Sequence, residues 1–168
     1  EPAAWLAGDA GDVNKKASVS IEDYEGCRRY GFTVIEGVKV GESPQWLKSL
    51  LQSIGLRSIN NIVDVTNYIN FDLGQPLHAF DLDKLEGHQI VVRRARAGET
   101  MMGINHKEYN LVDQDLVIAD ASKPVALAGV MGGEGSEVTE STTRVLLECA
   151  YFDPTTVRKS AKRHGLHT

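Results

Sequence analysis

Side chains able to grip a ligand without charge, and one able to carry a proton near neutrality, are concentrated in a single stretch. Over residues 60–81, NNIVDVTNYINFDLGQPLHAFD sets Asn60, Asn61, Asp64, Thr66, Asn67, Gln75, His78 and Asp81 among spaced apolar residues. Carboxamides and hydroxyls donate and accept hydrogen bonds, and imidazole titrates closest to physiological pH. The same residue types also serve as helix caps and as satisfied partners of loop carbonyls, so a binding flank and a structural network are both open readings. A second candidate is Glu148. The run RVLLEC at 144–149 alternates as a strand, which puts Glu148 on one face with Leu146 and Ala150. A carboxylate held among apolar neighbours must find donors or keep its proton, so Glu148 is either a structural acceptor or a group that reads a ligand. The third is GVMGGEG at 129–135, with four glycines in seven residues. It lacks the Lys-Ser/Thr ending of a phosphate loop and is not a dinucleotide fingerprint. Its glycines make either a sharp turn or a backbone-lined pocket wall.

The elements that must position these groups follow from periodicity. Ile62, Val65, Ile69 and Leu73 recur at helical spacing, with Asn60 or Asn61 as N-cap and Gly74 at the stop, which predicts a helix over 61–73 with that stripe facing the core. Thr66 and Asn67 then lie at the edge of the stripe. Pro76 forces the residue before it to be extended, so His78 falls in a short extended run. Ser43-Pro44 predicts an N-cap and first helical position, and Leu47, Leu50, Leu51 and Ile54 form the core stripe of a helix over 44–54. Asp153-Pro154 opens a last helix over 154–164 that Gly165 closes. Strands are expected at 30–40 with a hinge at Gly37, and at 89–95, 107–112, 115–120, 124–130 and 144–149. The fold class is therefore α+β, a β-sandwich-like core of short, mostly antiparallel strands with flanking helices.

Composition narrows the function classes. The 168 residues are 42% hydrophobic and 24% charged, enough for one domain with a core. A net charge of −5 leaves no global basic field for sequence-independent nucleic-acid binding, so any such contact is local. Arg158, Lys159, Lys162, Arg163 and His164 form the one basic run, of the kind that usually marks a solvated helix face. Cys27 and Cys149 lie in no metal-ligand spacing, so neither a zinc site nor a disulfide framework is indicated and a reducing setting is expected. No apolar run is long enough for a membrane span, and no secretion signal is visible. Residues 1–20 read as a linker or partly ordered segment and 21–168 as the domain. The missing initiator Met and the bare C-terminal HGLHT suggest a piece of a larger polypeptide.

The blocks NNIVDVTNY, GQPLHAFD, AGVMGGE, LLECAYFDP and RHGLHT, in that order and over roughly residues 20–168, resemble the central editing domain of the bacterial phenylalanyl-tRNA synthetase β subunit. The resemblance implies a post-transfer editing hydrolase that cleaves the ester of Tyr-tRNA(Phe). It implies that Glu148 accepts the tyrosyl hydroxyl, that Gly129 and Gly132 present backbone beside the amino-acid ring, and that Thr66 and Asn67 hold the amino end and the ester. His78 would stand near the terminal ribose, and Thr168 would match a threonine of a T-D-A-S block whose remainder this chain lacks. His78, Thr66 and Asn67 would position a hydrolytic water, with neither a metal nor a covalent intermediate. No cofactor is expected for this domain, whereas ATP and Mg belong to the full synthetase. The implied partners are the tRNA(Phe) 3′ end carrying tyrosine, the α subunit and the remaining β-subunit domains, in the cytoplasm and away from membranes. Two further readings stand beside it, a structural spacer and a non-catalytic module that binds RNA or an amino acid.

Overall fold

A computed structural model of the chain describes residues 12–166. Three sheets are formed. The largest takes β1 (Ser18–Ile21), β4 (Gln89–Arg94), β7 (Leu116–Ala119), β8 (Pro124–Leu127) and β9 (Met131–Gly132) in that spatial order. The second places β10 (Arg144–Phe152) between β2 (Cys27–Glu36) and β3 (Leu77–Asp81), and the third is the hairpin β5 (Thr100–Met102) with β6 (Glu108–Asn110). All pairings are antiparallel except β1 with β4. The α+β, sandwich-like architecture expected from the short strands is the one observed.

The two larger sheets share one core. Phe80 and Leu146 from the three-stranded sheet meet Ile90, Val92, Ile118 and Ala126 from the five-stranded one, all buried. Alternation works as expected here: Val117 and Leu127 point the other way, into a second cluster with Met101, Tyr109 and Leu111 from the hairpin side. Each fully buried side chain of this size contributes roughly 2 kcal/mol.

The helices are α1 (Gln45–Ser53), α2 (Asn61–Leu73) and α3 (Pro154–Arg163). α2 has the predicted bounds and both predicted caps. The Asn60 side chain accepts from the amides of Ile62 and Val63, and Gly74 is left-handed at φ 70°. Its inward face, however, is not the apolar stripe. Asp64 and Thr66 are the buried residues, while Val65 is 46% and Leu73 69% exposed. The reason is the loop that precedes it. Asp64 accepts hydrogen bonds from Ser43 Oγ and Ser58 Oγ, both at 2.5 Å, and from the Ile59 amide at 2.9 Å. Ser43 is thus a partner of Asp64 and not the cap of α1, which is Pro44 with no side-chain bond. α1 buries Leu47 and Leu51, but Leu50 and Ile54 of the predicted stripe are exposed.

Other bounds differ locally. β2 begins earlier and stops at Glu36, before Gly37, and β10 runs on to Phe152 because β2 pairs with it along its length. The expected strand at 124–130 ends at Leu127 and turns into the short β9. Residues 1–11 of the expected linker lie outside the described residues, whereas its last three, 18–20, belong with Ile21 to strand β1, docked in parallel on Gln89–Val92. Among the described residues no helix is long and apolar enough to cross a membrane.

Burial raises the Asp64 pKa, but the hydrogen bonds from Ser43, Ser58 and Ile59 outweigh it and hold the carboxyl below its ordinary value. Removing it orphans three donors at once. Asp64→Ala is expected to cost about 2–4 kcal/mol in denaturant unfolding, and a loss under about 0.5 kcal/mol would mean that Ser43 and Ser58 are satisfied by water instead.

Candidate functional site

A cleft of about 710 Å³ opens between the start of β3 with the loop before it, the β8–β9 turn, β10 and the first turn of α3. Its floor is apolar, with Ile118, Ala126, Leu127 and Met131, and two groups on that floor can do chemistry, Glu148 and His78. They face each other by register, since Glu148 on β10 pairs with His78 on β3 on one side and with Phe32 on β2 on the other. Cross-strand partners put their side chains on the same face.

Glu148 is only 6% exposed. Its Oε2 accepts a hydrogen bond from the Tyr30 hydroxyl at 2.6 Å, and among the described residues Oε1 accepts none. Burial pushes the carboxyl up to about 7, against the opposing effect of the Tyr30 bond. His78 sits half-buried, its ring edge-on to Phe80 with centroids 4.4 Å apart. Enclosure by protein pushes its pKa down to about 4, so the imidazole is neutral at physiological pH. Among the described residues no group hydrogen-bonds its ring.

The glycine run supplies both a turn and a wall. Gly129 has φ +68°, which turns the chain, and a side chain there would meet Val157 at 2.9 Å and Phe152 at 3.2 Å. Gly132 is a close approach, since a Cβ there would lie 2.9 Å from His78 Cε1. Glycine at 132 is what lets the imidazole rest against the β9 backbone.

The far wall is the start of α3. Asp153 caps it by accepting from the Thr156 amide at 2.7 Å, which brings Pro154, Val157 and Arg158 to the cleft. The other end of α3 is pinned by Asp115, fully buried, which accepts from Ser160 Oγ and His164 Nε2, both at 2.8 Å, and from Arg163. Two residues of the basic run are therefore structural pins, and Arg158 of the same run lies on the cleft.

Of the residues proposed from sequence, the cleft brings together Glu148, His78, Gly129 and Gly132. Thr66 and Asn67 are not among the residues that line it. They belong to α2, which packs on β3, and the Thr66 hydroxyl donates to the Val63 carbonyl at 2.7 Å. Thr168 lies outside the described residues. Tyr30 and Arg158 were not singled out as site residues. Nothing local marks Tyr30, because its partner is 118 residues away.

A family model described as the B3/4 domain matches residues 26–168. The chain is 54% identical over 156 residues to the phenylalanine–tRNA ligase beta subunit of Protochlamydia amoebophila and 52% identical over 156 residues to that of Geobacter sulfurreducens. Each match covers 93% of this chain, which spans 20% of the relative's length. In fold, it is similar to a crystal structure of an N-terminal fragment of the phenylalanyl-tRNA synthetase beta subunit from Pyrococcus horikoshii. That match has a TM-score of 0.60 at 14% identity and covers 89% of this chain and 49% of that one.

The two opposed shifts predict an unusual pH dependence of stability. Glu148, raised to about 7, binds a proton in the folded state between about 4.5 and 7 that the unfolded chain has lost, so its contribution falls as pH rises through that window. His78, lowered to about 4, lacks a proton between about 4 and 6.5 that the unfolded chain holds, so its contribution rises with pH. The two slopes cancel where they overlap. Denaturation across pH 4.5–6.5 is expected to show a rising slope in Glu148→Gln and a falling one in His78→Gln, each relative to the parent chain. Parallel curves for all three would refute the shifts.

Proposed function

This chain belongs to the B3/4 domain family, and from that premise we propose that it is the editing domain of a phenylalanine–tRNA ligase β subunit, hydrolysing the ester of tRNA(Phe) mischarged with tyrosine. The observation that carries the reading is Glu148, a carboxylate sunk in an apolar cleft with one oxygen that accepts from no donor among the described residues. A phenol entering the cleft ring-first finds apolar walls along its ring and an acceptor for its hydroxyl at the end. The phenylalanyl analogue brings no donor, so binding it leaves the carboxylate buried and under-satisfied. Discrimination of this kind is strong because the penalty falls on the wrong ligand.

The chemistry is water addition to an ester. Water attacks the carbonyl carbon, the tetrahedral oxyanion collapses, the carbon–oxygen bond to ribose breaks, and the ribose oxygen takes up the proton that water gives. Neutral His78, beside the cleft floor, accepts a hydrogen bond from that water and orients it. Held at about 4, it is a weak base, so orientation is its main contribution. Backbone amides of the Gly129–Gly132 run are the nearest candidates to stabilise the oxyanion. Thr66 and Asn67 enter this reading through α2, which backs the strand that carries His78.

The rest belongs to the longer protein. In this reading the α subunit and the remaining β-subunit domains present the tRNA 3′ end to the cleft, and ATP and Mg²⁺ serve the synthetic reaction elsewhere.

Glu148→Gln in the full-length enzyme is expected to lower the ratio of Tyr-tRNA(Phe) to Phe-tRNA(Phe) deacylation rates by roughly 10- to 100-fold, the value of a hydrogen bond to a charged group. An unchanged ratio would remove Glu148 as the discriminating group. Gly132→Trp is expected to fill the cleft against His78 and abolish deacylation of both esters while leaving aminoacylation intact. It is a cleaner probe than Gly129, where φ +68° would add backbone strain.

A further inference from the structure

The hydrogen bond that Glu148 accepts comes from the protein's own phenol. Tyr30 lies on β2 opposite Ala150, two residues along β10 from Glu148, so the two side chains are diagonal neighbours on the sheet face turned to the cleft. Its ring packs against the main core, and its hydroxyl reaches Glu148 Oε2 at 2.6 Å.

We propose that Tyr30 is a positioning and specificity residue. By holding Oε2 of Glu148 it fixes the carboxylate, so that Oε1 alone is aimed into the cleft to receive a ligand hydroxyl. This deepens, and rests on, the reading of Glu148 as the discriminating acid.

Three features support the assignment. First, the donor is fixed in kind. Burial and the nearby Glu148 charge both raise the Tyr30 pKa, so the phenol keeps its proton and donates to the ionised carboxylate. Second, the acceptor has capacity to spare. A carboxylate offers about four lone-pair directions, and one donor on Oε2 leaves Oε1 unengaged. Third, a free glutamate side chain has three rotatable bonds, and ordering it on ligand binding carries an entropic cost. Tyr30 orders it beforehand. The other titratable groups around the acid are Cys27 on β2, His78 on β3 and Arg158 on α3. Burial pushes the Cys27 thiol up to about 11, and His78 is neutral, so of the three only the exposed Arg158 is charged near pH 7.

Tyr30→Phe removes one oxygen and keeps the ring in the core. In the full-length enzyme it is expected to lower the preference for the tyrosyl over the phenylalanyl ester about 5- to 15-fold at pH 7. The preference should also grow with pH as Glu148 ionises, and because the Tyr30 bond favours the ionised form, its loss should move that midpoint up by about one pH unit. In a Glu148→Gln background, Tyr30→Phe should change the ratio no further. A purely structural tyrosine would lower stability and leave the ratio and its midpoint where they were. That result overturns the proposal. If Glu148→Gln itself leaves the ratio unchanged, the underlying reading fails first, and the proposal falls with it on separate grounds.

Discussion

Burying a carboxylate in an apolar face is the constraint on which the cleft depends. Water would stabilise the Glu148 charge, and the cleft floor supplies almost none of what water gives. The protein tolerates this because Glu148 lies in the middle of β10, the central strand of its sheet, where β2 and β3 hold the backbone on both sides. An edge strand could shift to let the acid reach solvent. A doubly paired strand cannot, and the acid meets its cost by keeping a proton to a higher pH and taking the single bond that Tyr30 offers.

Three other buried acids show how different that is. Asp64 takes two hydroxyls and an amide, and Asp115 takes a serine, an arginine, a histidine and the Val112 amide. Asp120 takes the amides of Glu86, Ser122 and Lys123 and the Ser122 hydroxyl. For all three, hydrogen bonds outweigh burial and the carboxyl is held below its ordinary range. They tie loops and helix ends together. Glu148 alone of these four is under-supplied with donors and shifted the other way. Saturation separates the acids that hold the fold from the one for which a ligand is proposed.

That contrast explains what was legible in the sequence. Alternation in RVLLEC put Glu148 among buried apolar residues, because strand periodicity depends only on local geometry, and the structure agrees. The caps of α2 were equally local, and Asn60 and Gly74 act where their types indicated. What failed was any inference about which face of α2 turns inward. Val65 and Leu73 gave a helical apolar stripe, but Ser43, Ser58 and the Ile59 amide gather around Asp64 from a loop that no periodicity describes. The long-range pairings failed to show for the same reason. Tyr30 with Glu148 and Asp115 with the end of α3 join positions far apart in the chain, and residue type alone carries no record of a partner.

The cleft also changes in charge along its depth. At the floor the acid and the imidazole are pushed in opposite directions by the same enclosure, so near neutrality the imidazole is uncharged and the partly ionised Glu148 is the one group there that bears charge. At the mouth stands Arg158, the one lysine or arginine among the lining residues, and the exposed Lys159 and Lys162 share its helix. A net charge of −5 makes the molecule as a whole a poor attractor of polyanions, so in the proposed reading this local cationic edge is where the anionic end of a ligand rests. A molecule with an uncharged aromatic end and an anionic end is therefore drawn in one orientation. In the proposed reading the aromatic end reaches Glu148 and the anionic end remains near α3. The ester of an aminoacylated RNA, the substrate proposed above, has those two ends.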